Sequence, residues 1–322
     1  MVEVSVILPN YNHEKYLKER IDSILNQTFQ HFELIILDDH SQDESRQIIE
    51  NYRTHPKVST IQFNEANSGS PFKQWTRGIN LAKGFYIWIA ESDDSCEPTF
   101  LEKTVAKMNE YPSAGIIFCQ STEFEVETGK SFISFTGHPR FSESFKHSYF
   151  NKGRKEISEK LVYENIVPNA SGVLFRKDAY YQAGGVNEDM KLCGDWFLWV
   201  KILLMSDVYF ISEPLNHFRL TSVSARSKYS KLNTFHERME ILHFLDLNHI
   251  RGAGKAKLAL IKSLFNNYML TNLGKPVNTV MREKKYMLYP RLNIFCAVTL
   301  SLFDRVFNRV QLSKNLLESL NK

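Results

Sequence analysis

The chain has 322 residues, of which 43% are hydrophobic and 24% are charged, so it can bury a large core and is not expected to be disordered. Its four cysteines lie far apart without a CxxC pair, which disfavours a disulfide framework or a structural zinc site and fits reduced cytosolic thiols. The net charge of +4 divides unevenly, because residues 226–322 carry 17 Lys and Arg against 6 Asp and Glu, whereas the rest of the chain is acidic.

Short apolar runs alternate with stretches of helical periodicity through the first ninety residues. The expected strands are 4–8, 33–37, 58–63 and 85–90, and the expected helices are 16–25, 42–52 with Ser41 as its N-cap, and 72–82. Strands that alternate with helices usually form a largely parallel sheet with helices on both faces. The sequence therefore predicts an α/β fold.

Three of these strands end in polar clusters. The clusters are Asn10-Tyr11-Asn12, Asp38-Asp39 and Asp93-Asp94. In sheets of this kind, ligands bind in the crevice outside the carboxyl ends of the strands. We therefore expect a ligand to bind where the three clusters meet.

The pattern is harder to interpret in the second half of the chain. Segment 122–165 has no clean period and is expected to be irregular, and 172–175, 195–204 and 207–211 are expected to be strand, helix and strand. Beyond Arg226, apolar residues at helical spacing predict a helical C-terminal extension. The apolar stretch 292–303 is too short to span a bilayer, which needs about 20 residues, but it could lie on a membrane.

The basic C-terminal region has two interpretations. It could attract the anionic lipid of a membrane surface, although a solvated helical surface is the commoner cause of such a bias. The N-terminus runs directly into a strand, with neither a basic segment nor a long apolar one, so we do not expect secretion. The sequence favours a cytoplasmic protein, either free or peripheral at the inner face of the membrane, without a nucleic-acid partner.

The acidic pair Asp93-Asp94 needs an explanation, because adjacent carboxylates repel each other unless a cation or a bound hydroxyl compensates. A hard divalent ion would bridge a carboxylate and two phosphates and would neutralise a departing nucleoside diphosphate. The alternative is local, since Ser92 or Asp94 could cap a helix that begins near Pro98. Taken alone, an acidic pair of this kind favours the cap.

Two further carboxylates are open to both a local and a chemical interpretation. Asp39 could belong only to a turn, or it could accept a hydrogen bond from the ring N–H of uracil or thymine. Asp195 begins an amphipathic helix, where a capping role is the ordinary one. It could also be a general base aimed at an acceptor hydroxyl.

In combination, five stretches resemble the GT-A glycosyltransferases of glycosyltransferase family two. The stretches are 5–12 (SVILPNYN), 23–28 (SILNQT), 38–41 (DDHS), 91–94 (ESDD) and 194–196 (GDW), and the resemblance covers roughly residues 2–226. It implies a Rossmann-like GT-A domain whose mostly parallel central sheet is flanked by helices. The halves would be a nucleotide-sugar-binding part at 1–100 and an acceptor-side part at 101–226, followed by the helical extension at 227–322.

The resemblance also assigns roles to individual residues. Pro9, Asn10 and Tyr11 would lie beside the nucleotide, where Asp39 would contact the pyrimidine and Asp93 would contact the ribose. Lys73 would contact the nucleotide sugar, and Arg219 would bind the pyrophosphate. Asp94 would hold the Mn²⁺ or Mg²⁺ ion, and Asp195 would be the general base. One departure weakens this transfer, because Phe218-Arg219-Leu220-Thr221 lacks the histidine of the family's Arg-x-His signature. Arg219 could equally form a surface ion pair, and His217 is more typical of a structural histidine.

The activity implied by the resemblance is inverting transfer of a sugar from a nucleotide-diphosphate sugar, UDP- or dTDP-linked, to a saccharide or lipid-linked saccharide acceptor. The pathway would be the assembly of surface polysaccharide or glycolipid. A sugar nucleotidyltransferase is disfavoured because 10–15 is not a Gly-rich basic phosphate loop, and a dinucleotide oxidoreductase because no GxGxxG follows the first strand. A non-catalytic subunit that binds nucleotide sugar is the remaining alternative.

Overall fold

A mostly parallel sheet with helices on both faces forms the centre of the structure, a computed structural model that describes residues 2–221 and 231–260. The strands are β1 (Val4–Asn10), β2 (Phe32–Asp38), β3 (Val58–Phe63), β4 (Tyr86–Ile89), β5 (Ser95–Cys96), β6 (Ala114–Glu125), β7 (Ser131–Ile133), β8 (Tyr149–Asn151), β9 (Val173–Arg176) and β10 (Asp207–Leu220). Their order is β3-β2-β1-β4-β9-β6-β10-β5, with β7 paired to β6 and β8 to β10. The predicted α/β architecture is confirmed.

The helices of the described residues cover this sheet. They are α1 (Glu14–Leu25), α2 (Ser45–Glu50), α3 (Pro71–Leu81), α4 (Phe100–Glu110), α5 (Gly153–Glu156), α6 (Lys177–Gln182), α7 (Gly194–Leu203) and α8 (Lys231–Leu247), with a π-helical turn at Ile157–Leu161 and a helical segment at 253–260. Together with the sheet they form one compact unit, Met1–Lys262. The predicted boundaries at residues 100 and 226 remain predictions.

Alternate residues of the central strands face two separate apolar layers. Ile7 of β1 joins the layer that contains α3, α7 and α8, whereas Val6 and Leu8 join the layer that contains α1 and α4. Successive side chains of a strand point to opposite faces of the sheet, so both faces of β1 are buried and its sequence is almost continuously apolar. The strand ends that carry the polar clusters are thereby held at one rigid edge.

The direction of β9 matters for the site. β1 runs parallel to β2 and β4, and β6 runs parallel to β10, but β9 runs antiparallel between β4 and β6. The residues just before β9 therefore lie beyond the carboxyl end of β4, because Leu174 pairs with Trp88 near that end. Segment 165–171 reaches the edge of the sheet where the polar clusters are.

Three local predictions were wrong. Ser41 does not cap α2, which begins at Ser45, because its hydroxyl and its N–H both donate to Asp38 at the end of β2. Segment 122–165 is not irregular, since it contains the end of β6, then β7, β8 and α5. β10 is a strand of 14 residues and not the short 207–211, because irregularities in its register with β6 between Ile211 and Asn216 break the alternation of the sequence.

No helix within residues 2–221 and 231–260 is long and apolar enough to cross a membrane. Cys96, Cys119 and Cys193 are free and buried. The apolar stretch 292–303 and most of the basic C-terminal region lie outside the described residues, as does Arg226.

Gly78 allows α3 to lie close to β1, so we expect Gly78→Ala to destabilise the protein by about 1–3 kcal/mol, the usual cost of overpacking a core. A Cβ at Gly78 would lie 2.3 Å from Cγ2 of Ile7, which is fully buried and has no room to move. Urea unfolding measures the change. The control is Gly254→Ala in the segment 253–260, where a Cβ meets nothing within 4 Å and helix propensity predicts an unchanged or slightly higher stability. Equal effects of the two substitutions would contradict the steric argument.

Candidate functional site

The ends of β1 and β2 are joined by a small polar network. Asn10 donates from Nδ2 to Oδ1 of Asp38 at 2.8 Å, and Ser41 donates to the two oxygens of the same carboxylate at 2.5 and 2.9 Å. Asn12 and His40, in the loops that follow the strands, have positive φ angles of 56° and 65°. Asn10 and Asp38 are buried and brace these loops, whereas Tyr11, the residue after Asn10, is 41% exposed.

Asp39 is buried directly behind this network. Its Oδ1 accepts hydrogen bonds from Asn64 Nδ2 (2.6 Å), the backbone N–H of Ser68 (2.9 Å) and Gln74 Nε2 (2.9 Å), and its Oδ2 accepts from Ser68 Oγ (2.8 Å). Four donors hold the carboxylate in one orientation. A contact to a pyrimidine N–H, which remains a prediction, would have to use the less heavily bonded Oδ2.

The acidic loop 91–94 follows β4, and Asp94 is its buried aspartate. Asp94 Oδ2 accepts from Asn169 Nδ2 at 2.5 Å and from Ser171 Oγ at 2.6 Å, and Oδ1 accepts from the backbone N–H of Arg219 at 3.1 Å. Neither Ser92 nor Asp94 caps α4, whose N-cap is Thr99, so the local alternative for this pair is wrong. Burial and the charge of Asp93 raise the pKa of Asp94, while Arg20, Ser171 and the Arg219 N–H act in the opposite direction.

The pKa of Glu91, in the same loop, is also raised. Burial and the charges of Asp93 and Asp94 raise its pKa to about 8, although Trp75 donates to Oε1 at 2.9 Å and Arg20 lowers it. Arg20 is fully buried with its guanidinium 4.9 Å from the centre of the Trp88 ring, and none of its side-chain nitrogens has a hydrogen-bond partner among the described residues. The loop therefore brings together carboxyl groups whose burial and mutual repulsion favour protonation, and one buried guanidinium acts against this.

Glu91→Gln is expected to flatten the fall of stability with pH in the metal-free protein. The unfolded chain releases this proton near the ordinary glutamate pKa of 4.5, whereas the folded protein holds it to about 8, so the folded state binds more protons between these values. Stability must therefore decrease as pH rises through that window. Thermal unfolding from pH 5 to pH 8.5 measures the slope, with Glu102→Gln on the exposed face of α4 as control. If the stability of Glu91→Gln decreased with pH as steeply as that of the wild type and of Glu102→Gln, Glu91 would not be the group that holds this proton.

The acidic loop could hold a divalent metal ion only with help from a ligand. The described residues contain no group of three or more His, Cys, Asp or Glu side chains arranged to hold a metal. Asp94 Oδ1 accepts a single hydrogen bond and so keeps a lone pair available. Mg²⁺ and related ions are commonly bound through one or two carboxylates with phosphate and water completing the shell, so this donor set fits such an ion.

Asp195 lies in the first turn of α7. Its Oδ1 accepts from its neighbour's N–H, that of Trp196, at 2.7 Å, and its Oδ2 accepts from Asn165 Nδ2 at 3.0 Å. Helix α7 starts at Gly194, and only glycine fits at that position because a Cβ there would lie 2.6 Å from the Phe72 ring of α3. The carboxylate is half-buried, which leaves part of its surface accessible.

Segment 165–171 connects the two carboxylates. Asn165 binds Asp195, and four residues later Asn169 binds Asp94. A chain extends by at most about 3.6 Å per residue, so the Cα atoms of Asn165 and Asn169 are no more than about 14 Å apart. Asp94 and Asp195 therefore lie at the same edge of the sheet, at the two ends of one short segment.

Helix α3 connects the same groups from the other side. Phe72 packs against Gly194, Gln74 donates to Asp39, and Trp75 donates to Glu91. Because these side chains belong to the first five residues of α3, one helix start contacts all three acidic regions. The four tryptophans are buried, as expected for core residues, and Trp75 also contributes this contact to the site.

The remaining predicted residues are placed around this edge. Arg219 is held by its backbone to Asp94, but its guanidinium pairs with Glu19 at 3.0 Å and lies 4.5 Å from the centre of the Tyr16 ring. Lys73 is exposed, and its Nζ donates to the carbonyl of Ser68 at 3.2 Å. The ion-pair alternative for Arg219 is thus the arrangement observed, and its contact with pyrophosphate remains a prediction.

The last predicted positions are Pro9, Asp93 and His217. Pro9 is buried within β1, and Asp93 is half-buried beside Asp94 with no hydrogen bond or ion pair to any described residue. His217 forms a pair with Glu97, with 2.9 Å between Nε2 and Oε1. The roles proposed for Pro9 and Asp93 remain predictions, and the pairing of His217 fits a structural histidine.

Sequence reasoning missed Asn169, Ser171 and His13. The first two hold Asp94, and His13 Nδ1 lies 2.7 Å from Ser92 Oγ in the acidic loop. A signal for Asn169 and Ser171 was present, since both immediately precede the predicted strand 172–175. Using it required knowing that this strand runs antiparallel to its neighbours.

The glycosyl transferase family 2 model matches residues 5–182. TuaG of Bacillus subtilis strain 168, whose name assigns it to teichuronic acid biosynthesis as a glycosyltransferase, is 28% identical over 249 residues, which are 75% of this chain and 90% of TuaG. TarS of Staphylococcus aureus strain Mu50, a poly(ribitol-phosphate) beta-N-acetylglucosaminyltransferase, is 36% identical over 115 residues. These residues are 35% of this chain and only 20% of TarS.

Two solved structures share the fold. TarS 1–349 in complex with UDP-GlcNAc has a TM-score of 0.62 at 21% identity, over 76% of this chain and 66% of that one. The mannosyltransferase PcManGT of Pyrobaculum calidifontis, in complex with GDP-Man and Mn²⁺, has a TM-score of 0.57 at 15% identity, over 96% of this chain and 87% of that one. These similarities confirm the GT-A fold class.

Proposed function

We propose that this chain, which belongs to glycosyl transferase family 2 and is a glycosyltransferase, is an inverting enzyme. It would transfer a sugar from a UDP- or dTDP-linked donor to an acceptor hydroxyl and invert the configuration of the anomeric carbon. The observation that carries the proposal is the placement of Asp94 and Asp195 at the two ends of segment 165–171. One carboxylate would lie at the diphosphate end of the donor and the other at the acceptor end.

The donor assignment rests on Asp39 and on the solved neighbours. A carboxylate held by four donors can still accept the ring N–H of uracil or thymine. TarS was solved with UDP-GlcNAc, whereas PcManGT was solved with GDP-Man. We favour a pyrimidine nucleotide, with Pro9, Asn10 and Tyr11 beside the base, Asp93 at the ribose, and Lys73 and Arg219 near the phosphates.

The chemistry at the acceptor end needs a base. Asp195 would take the proton of the acceptor hydroxyl while the new bond to the anomeric carbon forms and the bond to the diphosphate breaks, which inverts the configuration in one step. The half-buried carboxylate, oriented by Asn165 and the Trp196 N–H, supports this role. No covalent intermediate with the protein is required.

The chemistry at the donor end is electrostatic. Asp94, fixed by Asn169, Ser171 and the Arg219 N–H, would hold Mn²⁺ or Mg²⁺. Such an ion, when bound, neutralises charge that develops on the departing nucleoside diphosphate. Asp94 thus orients the diphosphate end relative to Asp195.

The acceptor and its location are inferred from the relatives. Surface-polysaccharide or glycolipid assembly is supported by the names of TuaG and TarS. We propose a saccharide or lipid-linked saccharide acceptor, and a cytoplasmic protein that reaches such an acceptor at the inner face of the membrane.

Release of nucleoside diphosphate from UDP-, dTDP- and GDP-sugars, each with Mn²⁺ or Mg²⁺, tests the proposal. We expect turnover with UDP- or dTDP-linked donors that disappears when a chelator removes the metal. A preference for GDP-sugars would contradict the role of Asp39, and turnover that is indifferent to chelation would contradict the role of Asp94.

A further inference from the structure

Glu237 of α8 binds three successive backbone N–H groups just before α7. Its Oε1 accepts from Lys191 at 2.7 Å, and its Oε2 accepts from Leu192 at 3.0 Å and from Cys193 at 2.7 Å. Successive N–H groups that converge in this way form an anion-binding concavity, which a carboxylate fills here. The bound backbone ends two residues before Asp195.

Helix α8 holds this carboxylate firmly in place. Ile241, Leu242 and Leu245 are buried in the apolar layer that also contains α3 and α7. Phe244 packs edge-on against Phe197 of α7, with 5.1 Å between the ring centres. The backbone of α8 is thus anchored beside α7, and the three hydrogen bonds tie the turn before α7 to this anchored helix.

The turn is confined from the opposite side by α3. Gly194, the first residue of α7, lies against the ring of Phe72, and Lys191 Nζ donates to the carbonyl of Gly69 at 3.2 Å. Glu237 and α3 therefore hold the 191–194 turn between them. Asp195 is the next residue, so its direction depends on both contacts.

We propose that Glu237 is a positioning residue that directs Asp195 towards the acceptor, so that α8, beyond the residues matched by the family model, completes the active site. This inference rests on the proposed base role of Asp195. Glu237 acts through the backbone and does not contact the reacting atoms. Its removal should therefore affect the chemical step more than donor binding.

The test compares Glu237→Ala with Glu240→Ala. Glu240 lies on the same helix, and among the described residues its side chain forms one hydrogen bond, from Asn187 at 3.3 Å. For Glu237→Ala we expect the turnover number to fall about 10- to 100-fold, as small misplacements of a reacting group can cause, while KM for the donor changes less than about twofold. Hydrogen exchange at the amides of residues 191–193 should become faster. Glu240→Ala should leave all three quantities as in the wild type.

A double variant separates positioning from general stability. If Glu237 works through Asp195, adding Glu237→Ala to Asp195→Asn should lower turnover by less than about twofold, because effects of residues that act as one unit are not additive. A full additional loss would mean that Glu237 acts elsewhere and would overturn the inference.

Failure of the inference is distinguishable from failure of the proposed function. The positioning role alone is overturned if Glu237→Ala keeps its turnover while its amides 191–193 exchange faster and Asp195→Asn is inactive. Turnover that persists in Asp195→Asn removes the base, and with it both proposals.

Discussion

Asp195→Asn is expected to lower the turnover number about 10²- to 10⁴-fold, which is the usual contribution of a general base. Asparagine keeps the shape of the side chain and an oxygen that can accept the Asn165 or Trp196 hydrogen bond, but it cannot take the acceptor's proton. KM for the donor should stay within a few-fold, because the interaction lost is one made in the transition state. Steady-state release of nucleoside diphosphate in the presence of acceptor measures both quantities.

The matched control for this change is Asp189→Asn. Asp189 is exposed in the loop before α7, and within residues 2–221 and 231–260 only its backbone N–H takes part in a hydrogen bond, to Asn187. The control should retain wild-type turnover. If Asp195→Asn also kept turnover within about threefold of the wild type, Asp195 would not be the base.

Asp94→Asn is expected to lower kcat/KM at least about 10²-fold. A metal ion at developing charge supplies several kcal/mol of transition-state stabilisation, and each 1.36 kcal/mol corresponds to a tenfold change in rate. The amide is a weaker metal ligand than the carboxylate, and its NH₂ group would also face one of the donors on Asn169, Ser171 or Arg219. Initial rates measured over a series of Mn²⁺ concentrations show whether the activation by metal is lost.

The control for Asp94 is Asp178→Asn in the first turn of α6. In the part of the chain that the structure describes, this carboxylate accepts only from the adjacent N–H of Ala179. It should respond to Mn²⁺ as the wild type does. An Asp94→Asn variant that retained both its rate and its metal activation would show that the cation, if one binds, is held elsewhere.

The polar strand ends were predictable because their physics is local. A buried parallel strand such as β1 reads as a continuous apolar run, and the polar residues after it mark its carboxyl end. The same reasoning placed Asp38-Asp39 and the acidic loop 91–94 at one edge of the sheet. It also located Asp195 at a helix start, since glycine followed by aspartate and an apolar period indicates a helix N-terminus.

The partners of these carboxylates could not be predicted in the same way, because long-range contacts fix them. Asn169 and Ser171 reach Asp94 only because β9 is inserted antiparallel between β4 and β6. Glu237 contacts the turn before α7 from α8, and the apolar spacing of α8 does not predict which part of the chain the helix contacts. Sequence spacing indicates which groups carry the chemistry, whereas the topology of the sheet decides which groups orient them.

The most direct test of the central claim, that Asp94 serves the diphosphate end and Asp195 the acceptor end, is calorimetric titration of UDP into both asparagine variants with and without Mn²⁺. The account predicts that Asp195→Asn binds UDP with the metal-dependent affinity of the wild type, whereas Asp94→Asn binds it with an affinity that Mn²⁺ does not change. Loss of metal-dependent binding in Asp195→Asn, or its retention in Asp94→Asn, would contradict the separation of roles.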